Sequence, residues 1–382
     1  MDFSLSEEQE MFRTMFRDFS LKEVAPIAEE IDQQECAPLS LLRKAAGQGF
    51  LGAPLPEEYG GAALDSVSYA LLIETLARHS LSVAVTLAAH TSLVALSLLT
   101  FGTGEQKDAW LPLLTGGELI GAFGLTEPEA GSDTGAIASR AVIDGDRVVL
   151  NGTKTWVANG EIAGLFLVFA RAAGGVEAFL VPRDAPGLTV GYREPTLGLR
   201  SVTFNTVYLE SCRVPLSSRL AGPGQGAMVA ERALGRLAVD LAAAALGVSE
   251  EAVEVAADFA SERVQFGGPI GQKQAIQQYV GEASIEVEAL RYLAYHAAWM
   301  ADQGGEYSFD ASAAKAFGAR VARSVTNAML QVLGGYGYME DYPLARKYRD
   351  ARALGLMGGP TELHQVQVAR SIFAQRDLAI EY

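Results

Sequence analysis

The sequence predicts a multi-domain α and β protein in three successive parts: a helical N-terminal domain over residues 1–120, a small β domain over 121–224 and a C-terminal helical bundle over 225–382. Two observations carry this. Apolar residues recur at helical spacing up to about Leu119, alternate with a period of two to about Pro223, and return to helical spacing from about Gln225. Alanine-rich stretches such as LAAAALG (residues 241–247) mark the last part, where small side chains let helices approach closely. At 382 residues, 49% hydrophobic and 20% charged, the chain is long enough for several packed units of ordinary globular composition.

In the first part, Ser6 followed by Glu7 and Glu8 reads as a helix N-cap, and Met11, Phe12, Met15, Phe16 and Phe19 form an apolar stripe expected in the core. A further helical stretch starts near Pro26. Pro54–Gly61 (PLPEEYGG) reads as a loop, with helices resuming from Val67. Leu81–Phe101 is the longest apolar run. It contains His90 and several hydroxyl residues and lacks basic flanks, so it reads as a core helix rather than a membrane span. Gly102 and Gly104 end it, and the next helix runs from Glu105 to about Thr115.

The second part is a series of short β-branched and aromatic runs: RVVLNGTKTWVANG, LFLVFARA, EAFLVP, LTVGYR and FNTVYLESCRV. It reads as a barrel or sandwich that begins with the irregular segment GAFGLTEPEAGSD. The Asn151-Gly152 pair is a hairpin signal. Helices are then expected over about 227–263, 269–303 and 310–333, and after Pro360. Gly222-Pro223-Gly224-Gln225-Gly226 lacks the G-x-G-x-x-G spacing and strand–helix–strand context of a dinucleotide fingerprint, and reads as a loop opening a helix.

The most informative stretch is 331–370. A helix ends at Leu333, a glycine turn follows (Gly334, Gly335, Gly337), and an extended aromatic piece runs from Tyr338 to Pro343. A basic run (Arg346, Lys347, Arg349, Arg352) leads to a second glycine turn at Gly358-Gly359-Pro360, which opens a helix with Thr361 and Glu362. Glycines admit close approach to the backbone and a helix start offers free N–H groups, which together suit an anionic ligand. Two capping turns joined by a solvated charged segment would read the same way.

This segment, with others in order along the chain, resembles the acyl-CoA dehydrogenase family of flavoproteins. The resemblance covers essentially the whole chain and implies that family's fold, with a C-terminal four-helix bundle and bound FAD. Phe123-Gly124-Leu125-Thr126-Glu127-Pro128, continuing to Ser132, resembles the family loop that runs along the flavin; Phe123, Leu125, Thr126 and Ser132 take those positions. Trp156 resembles the family tryptophan near the flavin ring. Ala158 stands where the family has a hydroxyl residue, so its backbone N–H is kept and a side-chain bond to the flavin is lost. The string Arg263-Val264-Gln265-Phe266-Gly267 resembles the segment that reaches a neighbouring subunit's FAD. That implies Arg263 on the pyrophosphate, with Phe266, Gln274, Gln331, Gly334 and Gly335 along the same dinucleotide and Thr361 and Glu362 as further cofactor contacts.

The family reaction removes an α-proton from an acyl thioester while hydride leaves the β-carbon for the flavin, and a positioned carboxylate must take the proton. The resemblance puts the family's catalytic glutamate at Gly358, which can offer only its backbone N–H. The family's alternative slot on the long helix falls at Leu237 or Gly235 by two ways of counting, and neither is acidic. Asp240 is the nearest carboxylate, one turn from Leu237. It is either the proton acceptor or the partner of Arg236 in an i, i+4 ion pair. Ser132, Arg236 and Gly359 are the candidate substrate contacts, and the family's Asp-x-x-Arg string for the pantetheine arm is broken.

The leading function implied is α,β-dehydrogenation of an acyl thioester, on coenzyme A or an acyl carrier protein, with electrons passed to an electron-transfer flavoprotein. A non-oxidative flavoenzyme of the desulfinase-like kind and a catalytically silent subunit of a mixed tetramer are the alternatives. A homotetramer or homodimer is expected. A net charge of −16 argues against nucleic-acid or membrane surfaces as partners. Cys36 and Cys212 make neither a disulfide framework nor a metal site, and the acidic N-terminus does not read as a signal peptide, so the cytoplasm is expected.

Overall fold

The computed structural model describes residues 4–374 and 376. Its first helix, α1 (Glu7–Phe19), starts in a capping box: the Gln9 N–H donates to the Ser6 hydroxyl and the Gln9 side chain accepts from the Ser6 N–H. The apolar stripe is only partly core. Phe16 is fully buried, stacked near Phe12 and edge-on to Phe50, whereas Met11 and Met15 face outward. The helix lies on the surface, so one edge of a five-residue stripe has nothing to pack on. Two helices follow at the centre of this part, α2 (Ser66–His79) and α3 (Leu81–Phe101); α3 contains a π turn at Ala89–Ala95. Most of α3 is buried inside the protein, and the last helix here, α4 (Gly104–Thr115), starts in a second capping box at Thr103.

Eight strands form one sheet: β1 (Gly121–Gly124), β2 (Arg140–Asp144), β3 (Arg147–Val157), β4 (Leu165–Ala172), β5 (Gly175–Pro182), β6 (Leu188–Arg193), β7 (Asn205–Pro215) and β8 (Arg219–Leu220). Their order is β6-β7-β3-β2-β4-β5-β8, with β1 parallel to β4. Strand β4 is buried on both faces. Phe166, Val168 and Ala170 belong to the sheet's own core, while Leu165, Leu167 and Phe169 join the core of the helical parts. Asn151-Gly152 is not the hairpin. The turn is at Gly145-Asp146, where Asp144 pairs with Arg147, and Gly145 has φ 62°. Gly152 sits inside β3 at a register shift against β7, and a Cβ there would lie 2.1 Å from the Ser139 hydroxyl.

The C-terminal part consists of α5 (Gly226–Glu262), α6 (Gln274–Asp302), α7 (Ser308–Leu333), α8 (Pro343–Ala351) and α9 (Thr361–Ala374). Helix α5 is the axis of the molecule. Ala242–Ala245 are fully buried, and a Cβ on Gly247 would lie 2.0 Å from the Glu74 carbonyl, so α5 and α2 pack almost backbone to backbone. The helical parts thereby share one core. Three expectations are corrected. Helix α6 begins at Gln274, because Val264–Gln265 and Gly268–Pro269 form a small ribbon first. The basic run is the helix α8 rather than a solvated segment, with Lys347 and Asp350 buried. Gly335–Tyr338 is a helical turn, so the extended piece is confined to the residues after it.

Candidate functional site

The flavin-side residues are gathered by the sheet. Phe123 lies in β1, and Leu125 and Thr126 follow it; the Thr126 carbonyl accepts from the Thr155 N–H at 2.9 Å, which sets the loop beside Trp156. Beneath them is a buried ion pair: Lys154, fully buried, donates to Glu127 at 2.6 Å and to the Leu125 carbonyl at 3.2 Å. Glu127 also accepts from the Ala138 and Ser139 N–H groups. Burial pushes the Glu127 carboxyl up, but hydrogen bonds from Lys154, Ser139 and Ala138 outweigh it and hold the group below the usual range. Burial holds the Lys154 ammonium below its usual value, against the pull of Glu127.

Trp156 has φ 53°, unusual for a bulky residue, and is 64% exposed. It sits where β3 shifts register between Lys154 and Val157. Asn159, also at positive φ, is buried and donates to the Thr86 and Gly121 carbonyls, which anchors the bend. Trp156 is thus held out from the strand with its ring largely exposed. Ala158 is half-buried in the same bend and Ser132 is exposed in the loop that follows Thr126.

The dinucleotide residues form a second group at the far end of α5. Arg263 follows the helix, its guanidinium 5.2 Å from the centre of the Tyr336 ring, in a cleft of about 380 Å³ floored by Gly334 and Gly335. Gly334 has φ 59° and ψ −131°, a conformation open to glycine alone, and a Cβ at either glycine would meet nothing within 4 Å. Phe266, at the turn of the ribbon, is 93% exposed. Gln274 starts α6 and Gln331 lies in the last turn of α7, both exposed. Among the described residues no hydrogen bond or ring contact joins this group to the flavin-side group.

The Gly358-Gly359 turn lies against α5. Both glycines have positive φ, and a Cβ at Gly358 would lie 3.1 Å from Leu241 and 3.3 Å from Leu237. Its carbonyls are clamped. The buried Lys315 donates to Gly359, and the His364 Nε2–H donates to Gly358 at 2.9 Å, while its Nδ1 faces the Ser312 hydroxyl at 3.2 Å. Burial, with the field of Lys315, lowers His364 to about 4 and keeps it neutral; burial also lowers Lys315 to about 8. Thr361 and Glu362 begin α9 on the rim of a pocket of about 510 Å³ with Arg320, Arg323 and Arg352.

Asp240 is 1% exposed, and neither carboxylate oxygen has a hydrogen-bond partner. No contact ion pair with Arg236 forms. The arginine donates instead to the Ser66 hydroxyl at 2.6 Å and lies 5.8 Å from the Tyr69 ring centre. Burial pushes Asp240 up to about 6, with the Arg236 charge and the nearby Ser92 hydroxyl pulling the other way.

Sequence reasoning missed the Glu127–Lys154 pair and the Lys315–His364–Ser312 clamp. Glu127 and Lys154 stand inside two strings already singled out, so only their burial was hidden. Lys315, in an alanine-rich helix, gave no signal.

The site thus combines an exposed aromatic on the β domain with a glycine-floored, arginine-edged cleft on the helical part. Family models of the acyl-CoA dehydrogenase N-terminal, middle and C-terminal domains match residues 6–118, 122–212 and 224–373. The short-chain specific acyl-CoA dehydrogenase of Clostridium acetobutylicum is 38% identical over 378 residues, 98% of this chain and 100% of that protein. Butyryl-CoA dehydrogenase from Megasphaera elsdenii superposes with a TM-score of 0.95 at 34% identity, over 98% of this chain and 100% of that one. A chain in a structure described as the electron transferring flavoprotein of Acidaminococcus fermentans gives a TM-score of 0.96 at 37% identity, covering 97% and 99%. The chain belongs to the acyl-CoA dehydrogenase family, whose members are flavin oxidoreductases that use FAD. The residues present fit that group: the Gly334-Gly335 floor is open to close approach, Arg263 offers an exposed guanidinium, and Trp156 presents an uncovered ring.

Proposed function

We propose that the protein catalyses FAD-dependent α,β-dehydrogenation of an acyl-CoA, with Asp240 on α5 as proton acceptor in place of the glutamate that Gly358 lacks. The observation that carries the reading is Asp240 itself: a buried carboxyl without a donor, raised to about 6, on the helix whose Leu237 and Leu241 pack against the Gly358 turn. A carboxyl in that range suits proton abstraction near neutral pH. The Gly358 and Gly359 backbone, fixed by Lys315 and His364, offers N–H groups for the thioester oxygen as negative charge develops there. When bound, FAD would accept the hydride from the β-carbon. Thr126, Ser132, Trp156 and the Ala158 N–H would hold its ring system, and Arg263, Phe266, Gln274, Gln331, Gly334 and Gly335 its dinucleotide. Thr361 and Glu362 would add contacts from the start of α9.

The separation of the two residue groups supports a homotetramer or homodimer in which one subunit's Arg263 group completes its neighbour's flavin site. The relatives' descriptions support an electron-transfer flavoprotein as electron acceptor and coenzyme A as carrier, while a relative described as a prolyl acyl carrier protein oxidase supports a protein carrier as the variant form. Cytoplasmic placement accords with the burial of α3. One observation favours a second reading, a non-oxidative flavoenzyme or silent subunit: Leu237 and Leu241 fill the space a side chain at position 358 would need.

The test is anaerobic titration of the purified flavoprotein with straight-chain, branched and carboxylated acyl-CoA thioesters. Bleaching of the flavin bands by any of them is expected. An intact flavin spectrum that no thioester bleaches would move the assignment to the second reading.

A further inference from the structure

A cavity of about 200 Å³ opens between the start of α2, the second half of α3 and the first turns of α5. That volume is on the order of six or seven waters, or of one carboxylate or phosphate group with its nearest atoms. Its lining consists chiefly of donors. Arg232 and Arg236, one turn apart on α5, both face it. Among the described residues Arg232 has no ion pair, its guanidinium lying 5.2 Å from the Tyr307 ring centre. Arg236 uses one amino group on Ser66, and its Nε is buried without a partner. Ser97, 3% exposed, lines the cavity with a hydroxyl that finds no partner, whereas the Ser92 hydroxyl, also on the lining, lies near the Asp240 carboxyl. Asp302, the lining carboxylate, is already engaged by the Ser66 N–H and hydroxyl.

A buried group left without its hydrogen bond is costly, and most such groups in folded proteins are satisfied. Here a serine hydroxyl and an arginine Nε are left so around one cavity, beside a second arginine that, among the described residues, makes no contact ion pair and whose charge reaches only as far as Glu306. The complement they lack is an acceptor with negative charge, and two guanidiniums set side by side suit a planar or tetrahedral oxyanion. Position relates the cavity to the reaction. Leu237, next in sequence to Arg236, packs against the Gly358 turn, so cavity and turn are neighbours along α5, within roughly one or two turns of 5.4 Å rise.

We propose that this cavity binds an anionic oxygen group of the thioester ligand, either the free carboxylate of a dicarboxylic acyl chain or a phosphate of the carrier, with Arg232 and Ser97 as its determinants. The proposal rests on the acyl-thioester reading and narrows its substrate class.

The test uses the flavin-loaded enzyme and its spectrum, which reads binding by perturbation or bleaching. Half-saturation is measured for butyryl-CoA, glutaryl-CoA, butyryl-pantetheine and glutaryl-pantetheine, in wild type, Arg232→Met, Arg232→Lys and Ser97→Ala. A carboxylate site predicts that each glutaryl thioester binds at least tenfold tighter than its butyryl counterpart. A phosphate site predicts the same margin for coenzyme A over pantetheine thioesters. In either case Arg232→Met removes the margin, Arg232→Lys keeps part of it and Ser97→Ala reduces it. Margins absent in wild type, or unchanged in Arg232→Met, overturn the proposal and leave the cavity to water. If no thioester perturbs the flavin, the acyl-thioester reading falls separately. Thermal shift with glutarate and with inorganic phosphate then decides the cavity: stabilisation that Arg232→Met removes supports it, and none overturns it.

Discussion

Asp240 is a fully buried carboxyl on α5, and the proposed reaction turns on it. It titrates near 6 instead of the ordinary 3.8, so the fold favours the protonated form. Below about pH 4 the group is protonated whether folded or unfolded, and it contributes nothing to the pH dependence. As pH rises through 6 the folded protein must either hold a buried charge or keep a proton that the unfolded chain has released, and stability is lost. Asp240→Asn is therefore expected to melt higher than wild type at pH 7–8, by on the order of 2 kcal/mol, with the difference fading as pH falls towards 4. Thermal melts of the two proteins across that range check the sign. The sequence showed Asp240 as the carboxylate nearest Leu237 but left it between base and ion pair. The structure shows the direction Arg236 takes, towards Ser66 and the Tyr69 ring and not into contact with Asp240, and no spacing rule reports that.

At the scale of elements, β3 and the loop after β1 form one unit. Lys154 projects from the strand beneath the loop and is neutralised by Glu127, whose remaining oxygen capacity is taken by two backbone N–H groups. A buried pair of this kind contributes little net stability against an apolar replacement, but breaking it leaves one charge uncompensated. Lys154→Met is expected to cost about 3–5 kcal/mol, read by urea denaturation, and to weaken FAD retention because the loop carrying Thr126 is released. Pairing it with Glu127→Gln should recover much of the stability. The strands were legible from their alternation, yet the local detail was not. Asn-Gly carried the hairpin signature, and the real turn at Gly145-Asp146 lay six residues earlier. Gly152 is instead required by the close approach of Ser139, a tertiary contact. Met11 and Met15 failed as core residues for a related reason, since an amphipathic pattern gives the apolar face of α1 but not how much of it another element covers.

Across the whole molecule, the order of domains could be read because the hydrophobic period changes twice, and the family could be read because its glycine and arginine strings recur in order. The buried polar groups of the core could not. Lys315 and His364 act through partners more than forty residues away in sequence, and the burial of Asp240 is set by the packing around α5. The two groups of expected cofactor residues lie on different parts of one chain, so under the proposed reading the role of Arg263 depends on assembly. Arg263→Ala is expected to release much of the FAD while leaving the melting of the apoprotein within about 0.5 kcal/mol of wild type, because the residue is exposed and its bonds are made to the ligand. Flavin absorbance after gel filtration, with a melt of the apo form, separates these effects.

The central claim is that this family member abstracts its proton from α5 and not from the glycine turn. The most direct measurement is stopped-flow anaerobic flavin reduction, with the best acyl-CoA found for wild type, in wild type and Asp240→Asn at matched FAD content. Loss of a general base lowers such a rate by about 10²–10⁴-fold, and a drop of that size with unchanged flavin occupancy is the result expected. Reduction in Asp240→Asn at a rate within a few-fold of wild type would contradict the claim.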